Sequence, residues 1–183
     1  MTRHVVLLRG INLPSHNRIA MPELRELLVA AGFGDVRTYV QSGNVVLSST
    51  SGPDAVARKC ERVIAAELGL DVGAVVRTRD ELADVVRRDP LREVAANPKF
   101  HQVTFLASEP GAEVTDKLAA AAAAGEEFVV GGREIYSWHP NGVGRSKLAA
   151  LLAGRALGVT ATARNWTTVT NLLAIADEPG DSG

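Results

Sequence analysis

Thr38-Tyr39-Val40-Gln41, Ser42-Gly43, Asn44-Val45-Val46-Leu47 reads as a strand, a two-residue turn and a second strand. Much later, Glu127-Phe128-Val129-Val130, Gly131-Gly132, Arg133-Glu134-Ile135-Tyr136 reads the same way. Short loops that contain glycine supply the positive φ that tight hairpins need. Two such hairpins far apart in one chain suggest a repeated unit, and the flanking sequence bears this out.

A strand and a helix precede each hairpin. In the first half, Val5–Arg9 is a strand, and Met21, Leu24, Leu27, Leu28 and Ala31 form a helical stripe that stops near Gly32. In the second half, His101–Ala107 is a strand and Ala112–Ala124 a helix ending at Gly125. A helix and a strand also follow each hairpin. Pro53 opens a helix carrying Val56, Cys60, Val63, Ile64 and Leu68, with Gly69 as its stop and Gly73–Arg77 as the next strand. The counterparts are a helix from Ser146 to Leu157, a stop at Gly158 and a strand at Val159–Ala163. Each half is therefore β-α-β-β-α-β. The predicted fold is α+β, a tandem duplication of the ferredoxin-like unit.

Each unit gains one more helix. Thr78-Arg79-Asp80-Glu81 is a capping box opening the first, and Asn165 caps the second, so Arg77 corresponds to Arg164. The expected division is 1–88 for the first half, 89–99 for a linker with Pro90 and Pro98, 100–177 for the second half and 178–183 for a flexible tail. Val5-Val6-Leu7-Leu8 and Val45-Val46-Leu47 are apolar on both sides, as in strands covered on both faces. The cover for the second face of the first sheet is expected from the other half or from a second protomer, that is, a homodimer.

Composition narrows the function. The chain has 183 residues, 46% hydrophobic and 22% charged, with a net charge of −1, which disfavours a strongly cationic nucleic-acid binder. One cysteine, Cys60, on the apolar side of a helix fits a reducing cytoplasm. The apolar run Val5–Leu8 is too short for a signal sequence, and no stretch approaches the ~20 apolar residues of a membrane span. No two of His4, His16, His101 and His139 pair at metal-ligand spacing, so no metal site is expected. No G-x-S-x-G elbow is present, and the catalytic residues, if any, are unassigned.

Asn141-Gly142-Val143-Gly144-Arg145-Ser146-Lys147 is a glycine turn entering a helix. It is not Walker A, because Arg145-Ser146 separates the last glycine from Lys147, and the Rossmann pattern fails as well, so no cofactor is expected. Cations at a helix start oppose the helix dipole unless an anion sits nearby. The alternatives are an anion site and a plain loop with a cap. Arg164-Asn165-Trp166-Thr167-Thr168 forms a second such corner, in which Asn165 has a capping role and Arg164 no simple structural one.

Leu7-Leu8-Arg9-Gly10-Ile11-Asn12, Asn17, Met21, Leu24-Arg25, Gln41-Ser42-Gly43-Asn44, Gly142–Leu148 and Thr162 with Arg164–Val169 occur in that order. Together they resemble the bacterial domain-of-unknown-function family numbered sixteen ninety-seven. The resemblance spans nearly the whole chain and implies a tandem ferredoxin-like fold with no established activity. Leu13-Pro14-Ser15-His16 stands where the family usually has a Gly-Gly-Lys turn, so a lysine charge and a backbone donor are lost.

The expected ligand is a phosphorylated or other anionic small molecule. Arg9, Arg145, Lys147 and Arg164 would supply charge; Asn12, Gln41, Asn44, Ser146 and Asn165 would supply directional hydrogen bonds. The competing expectations are a nucleic-acid module using the same cations and a structural or adaptor protein whose polar motifs only hold turns.

Overall fold

The computed structural model describes residues 1–180. The elements run β1 (Thr2–Arg9), α1 (Met21–Ala30), β2 (Gly34–Tyr39), β3 (Asn44–Ser49), α2 (Pro53–Leu68), β4 (Gly73–Thr78) and α3 (Arg79–Arg87). They then repeat as β5 (His101–Leu106), α4 (Glu113–Ala121), β6 (Glu127–Gly131), β7 (Glu134–Trp138), α5 (Lys147–Ala153), β8 (Ala161–Asn165) and α6 (Trp166–Asp177). The sheets have the orders β2-β3-β1-β4 and β6-β7-β5-β8, and every pairing is antiparallel. This is the ferredoxin-like arrangement, written twice.

By packing, residues 1–83 and 172–180 form one unit, and Asp84–Asn171 form the other. The divisions fall inside α3 and α6. In the first unit, Val6, Leu8, Val45, Leu47, Ala74 and Val76 face Leu24, Leu28, Val56, Cys60 and Ile64 of the two helices. The i, i+4, i+8 spacing of Val56, Cys60 and Ile64 explains why α2 buries that stripe. Each fully buried aliphatic side chain contributes roughly 1.5–3 kcal/mol. Pro53 opens α2, and Gly69 ends it at φ 66°. Burial pushes the Cys60 thiol up to about 12, with Glu61 adding to the shift and Lys59 opposing it.

The second face of the first sheet is also buried, at Val5, Leu7, Val46, Val75 and Arg77. The end of α6 belongs to this unit. Arg3 donates to the carbonyls of Ala176 (3.5 Å) and Glu178 (2.8 Å), and Arg37 donates to Pro179 (2.9 Å) and pairs with the Glu178 carboxylate. The expected tail thus begins with anchored residues, while Asp181–Gly183 lie outside the described residues.

In the second unit, Leu106, Ile135 and Ala161 pack with Val114, Leu118, Leu148 and Leu152. Tyr136 and Trp138 are packed as well, and the Tyr136 hydroxyl donates to the Val85 carbonyl at 3.0 Å.

Local boundaries differ from the sequence reading in five places. Tyr39 pairs with Asn44, so the first hairpin loop spans residues 40–43 rather than Ser42-Gly43 alone. Gly131 pairs with Glu134, which makes Gly132-Arg133 the second loop. α4 ends at Ala121, short of Gly125. α5 ends at Ala153, because Gly154 takes an extended conformation, and β8 starts two residues later than expected.

Candidate functional site

At the carboxyl end of β1 the backbone repeatedly takes positive φ: Gly10 78°, Asn12 51° and Asn17 55°, with Val40 50° and Gly43 74° in the adjoining hairpin loop. Asn12 ties the two segments together. Its Nδ2 donates to the Gln41 carbonyl at 2.6 Å, while its Oδ1 accepts from the Ile19 amide at 2.8 Å. Asn17 Nδ2 donates to the Gly10 carbonyl at 2.8 Å. Leu8 N–H donates to the Gly43 carbonyl at 2.9 Å, and a Cβ on Gly43 would stand 2.6 Å from Ile11 Cδ1. Asn44 is fully buried, with Nδ2 donating to the Tyr39 carbonyl (3.2 Å) and Ser42 Oγ (2.9 Å). Arg9, Asn12, Gln41 and Asn44 therefore gather at one end of the first sheet. The two asparagines spend their polar atoms on the loops, whereas Gln41 is exposed and Arg9 half-buried.

The second sheet brings another set together. His101 pairs with Trp138, and Gln102 with Asn165, so the loop after β7, the β8–α6 corner and Lys99-Phe100 share one sheet end. The His139 amide donates to the Phe100 carbonyl at 3.0 Å, and Gly142 lies close enough that a Cβ there would touch the Phe100 ring at 3.7 Å.

Beneath this loop is a buried polar network. His139 Nδ1 lies 2.9 Å from Glu126 Oε1 and 3.2 Å from Ser146 Oγ, and Nε2 lies 2.9 Å from Ser137 Oγ. Ser146 Oγ also accepts the Ala149 amide at 2.9 Å as the α5 cap. Burial pushes the Glu126 carboxyl up, but hydrogen bonds from Ser146, the Ala123 amide and His139 outweigh it and hold the carboxyl below its usual range. A hydroxyl on Nε2 and a carboxylate on Nδ1 echo a nucleophile–base–orienter relay. Ser137 and His139 are both 0% exposed, which closes the group to a substrate and makes it a fastener for the loop.

Beside it, the His101 ring stacks on Trp166 with centroids 4.5 Å apart. Its Nε2 lies 3.3 Å from Asp89 Oδ1 without hydrogen-bond alignment. Burial lowers the His101 pKa; the Asp89 carboxylate opposes this and His139 adds to it.

Arg145 and Lys147 are exposed at this sheet end, as is Lys99, and none of these three side chains makes an ion pair or hydrogen bond to a described residue. Arg164 differs. Its Nη1 donates to Thr162 Oγ1 at 2.5 Å and to the Ala163 carbonyl at 2.9 Å. Burial pulls the guanidinium down to about 10, so it remains charged at neutral pH. The reading of Arg164 as lacking a simple structural role is corrected here, since an edge strand leaves carbonyls that a folded-back guanidinium can satisfy. Asn165 Oδ1 caps α6 by accepting the Thr168 amide at 2.9 Å. Sequence reasoning missed Lys99 and the Glu126–His139–Ser137 chain, whose members are too far apart in sequence to form a motif.

Among the described residues, no three His, Cys, Asp or Glu side chains gather as a metal site, and no helix is long and apolar enough to cross a membrane. A cleft of about 430 Å³ in the first unit is lined by Thr2, Arg3, Thr78, Arg79, Asp80, Ala176 and Asp177. Its charges are internally matched, with Arg79 bonded to Asp177 at 2.5 Å and to Asp80 at 3.1 Å.

The fold and these loops define a duplicated ferredoxin-like α+β protein with a structured loop cluster on each sheet. The chain belongs to the family described as protein of unknown function (DUF1697), whose profile matches residues 1–136. No curated protein matches it. Among solved structures it is similar to the conserved bacterial protein SP0830 from Streptococcus pneumoniae, at a TM-score of 0.74 and 20% identity over 96% of this chain and 99% of that one.

Proposed function

We propose that this protein binds a phosphorylated or otherwise anionic small molecule at the end of its second sheet. The observation that carries the reading is the set of three exposed, unpaired cations, Lys99, Arg145 and Lys147, around a loop held rigid from below. Unpaired like charges repel one another, and an anion relieves that repulsion. Arg164, charged beneath the same sheet end, adds positive potential without itself being exposed. Pre-ordering of the Gly142–Ser146 loop by His139 lowers the entropic cost of binding. The single buried thiol supports a cytoplasmic setting, and the likeness to the streptococcal protein supports a bacterial one.

A second reading, a structural or adaptor protein, is favoured by a different observation. Asn12, Asn44, Ser146 and Asn165 all direct their side chains into turns and caps.

A thermal-shift series with inorganic phosphate, ATP, sugar phosphates and oligonucleotides separates the readings. Anion binding predicts a concentration-dependent rise in midpoint that Arg145→Ala/Lys147→Ala abolishes without lowering the ligand-free midpoint. No shift with any anion favours the adaptor. Affinity that grows with oligonucleotide length and falls steeply with salt indicates nucleic acid instead.

A further inference from the structure

Two four-stranded sheets expose four edges: β2 and β4 in the first unit, β6 and β8 in the second. An edge presents unpaired N–H and C=O groups to any passing strand, and proteins usually block them. Three of these edges carry a block. On β4, Leu8 N–H bonds toward β3, so the alternation of antiparallel ladders turns Ala74 and Val76 outward. There Glu61 Oε1 accepts the Ala74 amide at 2.9 Å, and Arg77 Nη1 donates to the Val76 carbonyl at 3.0 Å. On β8 the outward Ala163 carbonyl accepts from Arg164. β2 is broken by a bulge between Gly34 and Arg37 and by Asp35 at φ 41°, and Arg37 fastens the C-terminal segment across from it.

β6 has none of these devices. Its five residues pair with β7 without a register shift. Leu106 N–H bonds toward β7, which fixes the alternation and leaves Phe128 and Val130 facing the free edge. No described group outside the β7 ladder bonds to either residue. On the sheet face away from the helices, Val129 at the centre of the strand is a large apolar residue 38% exposed.

We propose that β6 is the self-association edge of this protein and that its occupant is β6 of a second copy, running antiparallel about a two-fold axis at Val129. The sequence of the strand is self-complementary in that register. Phe128 stands opposite Val130 of the other copy, and each such pair exchanges both backbone hydrogen bonds, so all the outward groups are satisfied. On the helix-covered face an aromatic ring meets a β-branched side chain twice, a favourable cross-strand pairing. On the other face the two Val129 side chains meet at the axis. Glu127, the only charged residue of the strand, falls opposite Gly131, and the two Glu127 carboxylates are on the order of 13 Å apart along the strand. The interface is isologous and closes after two copies, as a two-fold dimer must. An eight-stranded antiparallel sheet results. A five-residue strand makes a small interface, so association depends on concentration.

The test uses the full chain in sedimentation velocity across a concentration series. The wild-type chain is expected to pass from monomer to dimer. Val129→Lys places two like charges at the axis and is expected to stay monomeric, with circular dichroism unchanged and an unfolding midpoint that matches wild type at concentrations where wild type is monomeric, because the side chain is exposed. Val129→Cys checks register: the axial non-hydrogen-bonded pair has a Cα separation of about 4.5 Å, within disulfide reach. Mild oxidation should therefore cross-link Val129→Cys and leave Glu127→Cys uncross-linked. A wild-type chain that is monomeric at every concentration overturns the proposal, as does a Val129→Lys chain that dimerises like wild type. Equal cross-linking of the two cysteine variants overturns the register.

Discussion

Arg77 and Arg164 occupy equivalent positions in the two repeats, opposite Val5 and Val103, and each folds its Nη1 back onto the carbonyl of the residue before it, at 3.0 and 2.9 Å. In both cases that carbonyl points off the free side of an edge strand. The guanidinium thus does for β4 and β8 what a further strand would do. Arg77 is 1% exposed, so its charge is held away from solvent. Truncating either to alanine removes a charged hydrogen bond and leaves a carbonyl unsatisfied. We expect each variant to lose about 1.5–3 kcal/mol in urea unfolding. Lysine cannot reproduce the fork and should recover only part of the loss. An Arg164→Ala variant as stable as wild type would contradict the edge-capping role.

Acid should destabilise the fold in two stages. Burial lowers the His4 pKa, with the Thr2 carbonyl and Glu81 opposing it, and burial likewise lowers that of His101. Below the ordinary value of 6.5 the unfolded chain therefore binds protons that the folded chain resists, so stability declines as pH falls from 6.5 toward the lowered values. Glu126, whose pKa is also lowered, contributes stability that is present above the ordinary 4.5 and lost as pH falls through its folded value. Thermal midpoints across this range are expected to fall monotonically, and His4→Gln should flatten the upper stage. A midpoint that rises between neutral pH and pH 5 would refute the assignment.

Ser146 holds both the start of α5 and the loop that precedes it. Removing its hydroxyl in Ser146→Ala takes away the Ala149 cap and the contact with His139. The expected cost is about 1 kcal/mol or somewhat more. Amide exchange should quicken at the Gly142 and Ser146 N–H groups and stay unchanged in β1, β3 and β4.

Val40 is an exposed β-branched residue at φ 50°, a conformation such side chains rarely adopt. Val40→Gly or Val40→Asn relieves strain on the order of 1–3 kcal/mol, reduced for glycine by the entropy of the unfolded chain. A net gain of about 1 kcal/mol is expected. Gly43→Ala should have the opposite sign, because its Cβ would meet Ile11 Cδ1 at 2.6 Å and Leu8 Cβ at 2.9 Å. Matched denaturant titrations of the three variants check both expectations.

By itself the sequence determined the repeat, the six helices of the described residues and the sheet each repeat makes, because hydrophobic period and punctuation are local. Pro53 and Gly69 bound α2 where they were expected to, and Thr78 and Glu81 form the capping box, exchanging bonds at 2.8 and 3.1 Å. Asn165 caps α6, also as read from the sequence. Hairpin boundaries depended on register, which is set by pairing across strands, so Val40 and Gln41 became loop rather than strand. Tertiary structure alone decided which polar residues remain available. Asn12 and Asn44 read as ligand-facing groups until their partners, the Gln41 and Tyr39 carbonyls, are seen beside them. Lys99 carried no motif, and only the antiparallel ladder of β5 with β7 and β8 brings it to the sheet end that holds Arg145 and Lys147. The physical reason is the same in each case. A hydrogen bond or a charge pair depends on distance through space, whereas a sequence records only distance along the chain.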